Sequence, residues 1–254
     1  DLHSFPTRRS SDLHIVFNDG FGTVERRPLS RIRRVSAARL QQGWATVPQV
    51  THLDDADVTE LETALAQSAD AGAANRVSLL ALTVRAVTAA LDQHPGLSAS
   101  FEQQTASILL KRYRHIGVAV ETPQGLIVPV VHDVDRKSAS QVSVELKALA
   151  AHAREGRVSP AALEGGCFTI SSLGNIGGTS FTPIVNPPQV AILGIARIRE
   201  QLRLRAGQVE TQRLLPLCLS YDHRAVDGAD AARFLVAVRS HLENPAWIAS
   251  ECSS

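Results

Sequence analysis

The sequence contains no methionine and only three cysteines, and these shortages limit the class of protein it can encode. Cys167, Cys218 and Cys252 are odd in number and show no CxxC spacing, which argues against a disulfide framework or a cysteine zinc site and favours a reducing compartment. No apolar run approaches the roughly 20 residues that a membrane span needs. A net charge of +1 argues against nucleic acid or an anionic membrane as the main partner. We therefore expect a cytoplasmic protein.

The N-terminal stretch shows no periodic pattern of apolar residues. Residues 1–24 lack the apolar core of a targeting signal and resemble linker sequence, so we expect a disordered or non-native segment there. The chain does not begin with methionine, which predicts that its first residue is not a native start. The 254 residues are 44% hydrophobic, enough for one large core, and we predict a single domain over 25–254.

Apolar periodicity predicts long helices and short strands that do not alternate strictly. Helices are expected at about 31–40, 57–69, 77–94, 138–155 and 229–242. Strands are expected at 46–53, 109–110, 116–120, 126–131, 168–171 and 190–195, with a hairpin over 201–215 that turns near 206–208. This order favours the α+β class with a mixed sheet.

The most informative segment is LSYDHRAVDG (219–228), which ends a buried strand and precedes a helix. It places His223 four residues before Asp227. A histidine on such a turn is held firmly yet open on one side, which suits a general base because imidazole usually titrates near about pH 6.5. On chemistry alone, a packed or surface histidine is the alternative. The other histidines are scattered without HxxxH or HExxH spacing, so we predict no metal site.

A second segment, GGCFTISSLGNIGG (165–178), is a strand that runs into a glycine-rich loop. No lysine follows the glycines and GxGxxG is absent, which excludes a Walker motif and a Rossmann fingerprint. Ser171 ends the strand and can donate a hydrogen bond to an oxyanion, with glycines that allow close approach of a substrate. Two alternatives stay open: Ser171 as a nucleophile, although GxSxG is missing and no acid is evident to orient His223, and a strand end that is only structural.

Together these segments resemble a known family. LPLCLSYDHRAVDGADAARFL (215–235) is similar to the active-site signature of the dihydrolipoamide acyltransferase core of 2-oxo acid dehydrogenase complexes. Three further segments match the same family in the same order, and the resemblance covers about residues 25–245. They are PLSRIRRVSAARLQQGWATVPQVTHLDDADVTELE, HIGVAVETPQGLIVPVVHDVDRKS and GGCFTISSLGNIGGTSFTPIVNPPQVAILGIAR. Within the family, the chain looks most like the acetyltransferase of pyruvate dehydrogenase.

The resemblance implies a fold, an assembly and an activity. The fold would be that of chloramphenicol acetyltransferase, a mixed sheet flanked by helices that assembles as a homotrimer with active sites between subunits. His223 would be the catalytic base and face Ser171 of a neighbouring copy, while Asp227 would orient the turn through a salt bridge. The reaction would move an acetyl group between a dihydrolipoyl arm and coenzyme A, and coenzyme A would be a substrate. The residues that hold coenzyme A are left unassigned.

The chain also departs from the family pattern. Its only lysines are Lys111, Lys137 and Lys147, and none lies in an Asp-Lys-Ala turn of the lipoyl type, so the lipoyl group is expected on a separate domain. The tail after Pro245 lacks the leucine-rich ending of such cores, so a trimer is predicted more firmly than a larger cubic core. Other components of the complex are the expected partners. The alternatives are another acyl group (succinyl or branched-chain), an antibiotic hydroxyl as acceptor, or a non-catalytic trimeric scaffold.

Overall fold

The helices lie at the predicted places, with one addition, in a computed structural model that describes residues 15–68, 76–174 and 176–253. The first helix is longer than predicted: it runs to Thr46 instead of ending near residue 40, so the strand predicted from residue 46 begins only at Gln49. They are α1 (Arg31–Thr46), α2 (Thr59–Ser68), α3 (Leu79–Gln93), α4 (Ala139–Arg154), α5 (Gly228–Leu242) and α6 (Pro245–Cys252). Ser138 and Gln141 form a capping box that fixes the start of α4. The unpredicted helix, α6, has a start signal in the sequence: Asn244 caps it and Pro245 takes its first position.

Most strands join one mixed sheet, which confirms the α+β prediction. The strands are β1 (Ile15–Asn18), β2 (Thr23–Arg26), β3 (Gln49–Asp57), β4 (Ser100–Glu102), β5 (Ser107–Leu109), β6 (Ile116–Val118), β7 (Val120–Thr122), β8 (Gly125–Ile127), β9 (Val130–Val131), β10 (Phe168–Ser172), β11 (Ala191–Ile195), β12 (Arg199–Arg205) and β13 (Gln208–Asp222). The main sheet has the order β12-β13-β11-β10-β6-β9, and β3 pairs with β13. Strand β10 is parallel to β6 and β11, whereas β11 is antiparallel to β13.

The core lies between this sheet and the helices. Phe168 of β10, Leu193 of β11 and Tyr221 of β13 are fully or almost fully buried, as is Phe234 of α5. They belong to the same apolar cluster as the buried face of α3. Because the ends of β10 and β13 extend from this rigid core, the residues that follow them are held in place.

Strands β12 and β13 form a hairpin, which confirms the hairpin predicted over 201–215. Its two-residue turn consists of Ala206 and Gly207, whose φ angles are +49° and +83°. Two successive left-handed residues give the backbone twist that joins antiparallel strands with a short loop. The predicted turn near 206–208 is therefore correct.

Three further expectations need correction. The strand predicted over 116–120 is divided at Ala119 into β6, which joins the main sheet, and β7, which pairs with β8. The single strand predicted over 126–131 is interrupted at Pro129, which cannot donate a backbone hydrogen bond, so β8 pairs with β7 while β9 joins the main sheet. At the N-terminus, residues 1–14 of the segment predicted to be disordered lie outside the described residues. Residues 15–26 form the exposed β1–β2 hairpin instead of an irregular stretch. The predicted boundary at residue 25 falls within β2, and the domain division stays a prediction.

Within the described ranges, no helix is long and apolar enough to cross a membrane.

Candidate active site

His223 begins the turn between β13 and α5. Its backbone N–H donates to the carbonyl oxygen of Pro48 at 3.1 Å, which ties the turn to the segment between α1 and β3. The residue is exposed, and its ring centroid lies 5.8 Å from that of Tyr221. The imidazole is thus fixed at its backbone and open to solvent in one chain, as the sequence predicted for a base on a strand-to-helix turn.

The residues on either side of His223 form an ion pair that the sequence analysis missed. The Asp222 side chain is only 3% exposed, and its Oδ2 accepts from Nη2 of Arg224 at 2.7 Å. The Oδ1 atom accepts from the backbone N–H of Arg224 at 3.0 Å and from its Nε at 3.0 Å. Hydrogen bonding to this carboxylate raises the pKa of the Arg224 guanidinium above its usual value. The sequence did contain a signal for this ion pair, since opposite charges stand on either side of the histidine, two residues apart.

Asp227 occupies the N-cap position of α5, but its side chain makes no capping hydrogen bond. Within the described part of the chain, no ion pair forms with this exposed carboxylate, so the orienting salt bridge expected of Asp227 is not made inside one chain. The ion pair of this turn belongs to Asp222 and Arg224. Burial, with a smaller contribution from the charge of Asp227, raises the pKa of the Tyr221 hydroxyl.

Ser171 lies near the end of β10 beside a cavity of about 700 Å³. This cavity lies between α1, the β7–β8 ribbon and the main sheet, and Arg31 and Arg39 of α1 contribute to its wall. The opposite wall is formed by residues of the sheet and of the segment before β11, among them Phe181 and Gln189. A hydroxyl at this position can donate to a substrate that enters the cavity.

Buried polar and aromatic groups shape the wall beside Ser171. The hydroxyl of Thr169 donates to Oε1 of Gln189 at 2.6 Å, so these two buried oxygen atoms satisfy each other. Gly194 is the register partner of Ser171, and a Cβ there would lie 2.6 Å from the Phe181 ring. Only glycine leaves room for that ring on the neighbouring strand.

Ser171 and His223 are not brought together within one chain. Ser171 pairs with Gly194, and Gly194 pairs with Cys218 across β11 and β13. His223 comes five residues after Cys218, which places it about 16 Å further along the sheet at about 3.3 Å per residue. The serine lies where β10 ends, and the histidine lies at the opposite end of the sheet. A site that uses both groups needs two copies of the chain.

The described residues were also searched for side chains that could hold a metal ion. Among residues 15–68, 76–174 and 176–253, no group of three or more His, Cys, Asp or Glu side chains is placed to hold a metal ion.

The architecture is that of the chloramphenicol acetyltransferase fold. A solved chloramphenicol acetyltransferase superposes with a TM-score of 0.52 at 13% identity, covering 82% of this chain and 94% of the other. The chain belongs to the 2-oxoacid dehydrogenases acyltransferase (catalytic domain) family, because the model of that family matches residues 21–249. The predicted family is confirmed.

The similar curated proteins are dihydrolipoyllysine-residue acetyltransferase components of pyruvate dehydrogenase complexes. The protein from Cupriavidus necator is 44% identical over 216 residues, covering 84% of this chain and 39% of that protein. The protein from Haemophilus influenzae is 42% identical over 228 residues, covering 87% and 40%. The chain therefore spans about two fifths of the length of these relatives.

Solved structures give the same family. A dihydrolipoamide acetyltransferase from Azotobacter vinelandii, investigated for the catalytic roles of a serine, a histidine and an asparagine, has a TM-score of 0.85 at 40% identity. The alignment covers 91% of this chain and 96% of that one. The cubic core of a pyruvate dehydrogenase multienzyme complex matches with the same TM-score, identity and coverage.

Proposed function

We propose that this chain transfers an acetyl group between the dihydrolipoyl arm of a 2-oxo acid dehydrogenase complex and coenzyme A. One observation carries the proposal. In the Azotobacter vinelandii enzyme the investigated serine precedes the histidine by 52 positions and the asparagine follows the histidine by four. The same spacings separate Ser171 from His223 and His223 from Asp227. The identity of 40% over 91% of the chain supports the transfer of these roles.

The chemistry follows from the two side chains. A coenzyme A thiol with a pKa of about 8.5 is mostly protonated at neutral pH, so His223 takes the proton as the sulfur attacks the acetyl carbonyl of the S-acetyl dihydrolipoyl group. The hydroxyl of Ser171 donates a hydrogen bond to the oxyanion of the tetrahedral intermediate. The intermediate then collapses, and the imidazolium returns the proton to the departing dihydrolipoyl sulfur. One thioester replaces another, and no acyl-enzyme is needed.

The position of these two residues supports a homotrimer with shared active sites. Since Ser171 and His223 lie at opposite ends of the sheet, the histidine of one copy serves with the serine of another. Apolar side chains of α1 and β3 are exposed in one chain: Trp44 is 63%, Val50 40% and Leu53 55% exposed, and β3 pairs with β13, the strand that leads to the His223 turn. A neighbouring copy that covers them gains favourable apolar burial.

The proposal extends to the partners. We infer that a lipoyl domain outside this segment brings the acetyl group, that trimers can build a cubic core like the one of the matched structure, and that the other components of the complex bind it. The cysteines of the described chain are free thiols, which suits the cytoplasmic location that we propose.

The test is turnover of acetyl-CoA with free dihydrolipoamide. Each transfer consumes one lipoyl thiol and frees one coenzyme A thiol, so the S-acetyl product must be separated by chromatography. We expect turnover by the parent protein and a loss of at least about 100-fold in His223→Ala. Parallel reactions with succinyl-CoA and isobutyryl-CoA test the acyl group. No turnover in a trimeric sample, or an equally active His223→Ala, would overturn the proposed activity, and preference for another thioester would overturn its acetyl part.

A further inference from the structure

Arg224 is held between two different groups. Its guanidinium binds the buried Asp222 carboxylate through Nε and Nη2 at 3.0 and 2.7 Å. Its central carbon lies 4.4 Å from the centroid of the Phe101 ring, within the range of a favourable cation–π contact. The guanidinium is thus fixed by hydrogen bonds at its edge and by an aromatic ring at its face.

The Asp222–Arg224 pair encloses the backbone of His223. The carboxylate of Asp222 also accepts the backbone N–H of Arg224, and the carbonyl oxygen of Asp222 accepts the N–H groups of Ala225 and Val226, each at 3.0 Å. The N–H of Asp222 donates to the carbonyl of Val190 at 2.8 Å. These bonds restrain the peptide units before and after the His223 Cα atom and therefore the direction in which its Cα–Cβ bond points.

Phe101 brings a separate element into this arrangement. It lies on β4, which forms a two-stranded ribbon with β5 outside the main sheet. Phe101 is partly buried and packs against the apolar core. Without the ring, the Asp222 carboxylate alone holds the guanidinium, which can then leave the carboxylate for solvent more often, because the Arg224 side chain is 29% exposed.

We propose that Phe101, Arg224 and Asp222 form a positioning unit that sets the direction of the His223 imidazole. Phe101 acts on His223 only through Arg224, and none of the three residues exchanges a proton with the substrate. The inference rests on the proposed function of His223, since a misplaced base slows proton transfer while substrates still bind.

The test compares variants by steady-state kinetics with acetyl-CoA and dihydrolipoamide. Arg224→Lys keeps the charge but loses the two-point, planar contact, and we expect kcat to fall about tenfold with each KM within about twofold. Phe101→Leu keeps apolar bulk but loses the ring face, and we expect a fall of about fivefold in kcat. Phe101→Tyr restores the face and should restore kcat.

Phe17→Leu is the matched control, because Phe17 lies beneath Arg26 in the exposed β1–β2 hairpin, with 5.6 Å between the guanidinium carbon and the ring centroid. Its kcat should equal that of the parent. The double variant Phe101→Leu/Arg224→Lys should be no slower than Arg224→Lys, because both changes act along one route. Independent effects would multiply and would overturn the inference.

Crystal structures of the parent and of Phe101→Leu give a readout that does not depend on turnover. A displaced or disordered His223 ring in the variant supports the positioning role. An unchanged ring, or parental kcat in Phe101→Leu, overturns it even though the proposed acetyl transfer stands. A parent protein without turnover overturns the proposed function, while the ring position still decides whether Phe101 positions His223.

Discussion

Ser171 and His223 lie at opposite ends of the same sheet, with β11 between the strands that carry them. The offset of about 16 Å along the strands is far beyond hydrogen-bond reach, and strands in a packed core do not slide by five residues. The two groups that the spacing match assigns to one reaction therefore meet only when one copy of the chain supplies the serine and another supplies the histidine.

A mixture of two inactive variants should regain activity. When Ser171→Ala and His223→Ala chains are unfolded and refolded together in equal amounts, random assembly makes about a quarter of the shared sites intact. We therefore expect about a quarter of the parental turnover in the acetyl-CoA and dihydrolipoamide assay, measured per site after the trimers are isolated.

The control mixes Ser171→Ala with the double variant Ser171→Ala/His223→Ala, which offers no intact serine and should stay inactive. If Ser171 and His223 acted within one chain, the first mixture would also stay as inactive as its two components, and the shared site would be wrong.

Ser171→Ala alone should lower kcat by about 100- to 1,000-fold, the usual cost of losing one donor to an oxyanion. KM for coenzyme A should change little, because the hydrogen bond strengthens only as charge develops on the oxygen. Ser172→Ala is the matched control, since successive side chains of a strand point to opposite faces. Equal losses in kcat for Ser171→Ala and Ser172→Ala would mean that Ser171 has no special role.

Asp227→Asn should keep most of the activity, within about threefold of the parent in kcat. Asparagine is also a good N-cap residue for α5, and the Azotobacter vinelandii enzyme has asparagine at the matching distance from its histidine. The substitution should also lower the pKa of Tyr221 relative to the parent, because the negative charge of Asp227 helps to raise it. A loss of 100-fold or more in kcat would instead indicate that the Asp227 carboxylate itself moves a proton.

The features predicted correctly from the sequence are those that depend on residues adjacent in the chain. The His223 turn, the strand that carries Ser171 and the left-handed turn at Ala206 and Gly207 all depend on neighbours in the chain, and each is found where it was predicted. The strand over 126–131 was predicted as one piece because its residues are continuously apolar, and only pairing with two different partners divides it at Pro129.

Contacts between segments that are distant in the chain could not be predicted from the sequence. Nothing in the pattern around Phe101 indicates that its ring faces Arg224, more than a hundred residues later. The sequence shows Asp222 and Arg224 as two opposite charges. Only the structure shows that Asp222 is buried and that Asp222, not Asp227, forms the ion pair of the turn. A site shared between copies was expected from the family resemblance, and the strand register, which separates Ser171 from His223 within one chain, supports that proposal.

His115 should make the stability of the protein depend on pH. Its Nδ1 accepts the backbone N–H of Asp133 at 3.0 Å, and its ring lies 4.6 Å from that of His132 and 4.4 Å from that of Tyr113. Burial, together with repulsion from His132, lowers the pKa of His115 below its ordinary value of 6.5, although the nearby carboxylate of Asp133 opposes this.

The direction of this pH dependence follows from the difference in proton binding between the folded and the unfolded chain. Since the folded pKa of His115 is below 6.5, the unfolded chain binds a proton more readily, and protons favour unfolding. Its stabilising contribution is complete above pH 6.5 and is lost as the pH falls through the folded pKa. The free energy of unfolding by urea should therefore fall as the pH is lowered from 7 to 5, with a slope of at most about 1.4 kcal/mol per pH unit from this one group.

His115→Gln removes this titration and should reduce the pH dependence of the unfolding free energy over the same range. It should not abolish it, because burial also lowers the pKa of His241. His152→Gln is the control for the exchange of a histidine for glutamine, because His152 is exposed on α4, and its slope is compared with those of His115→Gln and the parent. An identical slope in His115→Gln and the parent would show that the His115 ring contributes nothing to the acid sensitivity of the fold, and that another group accounts for it.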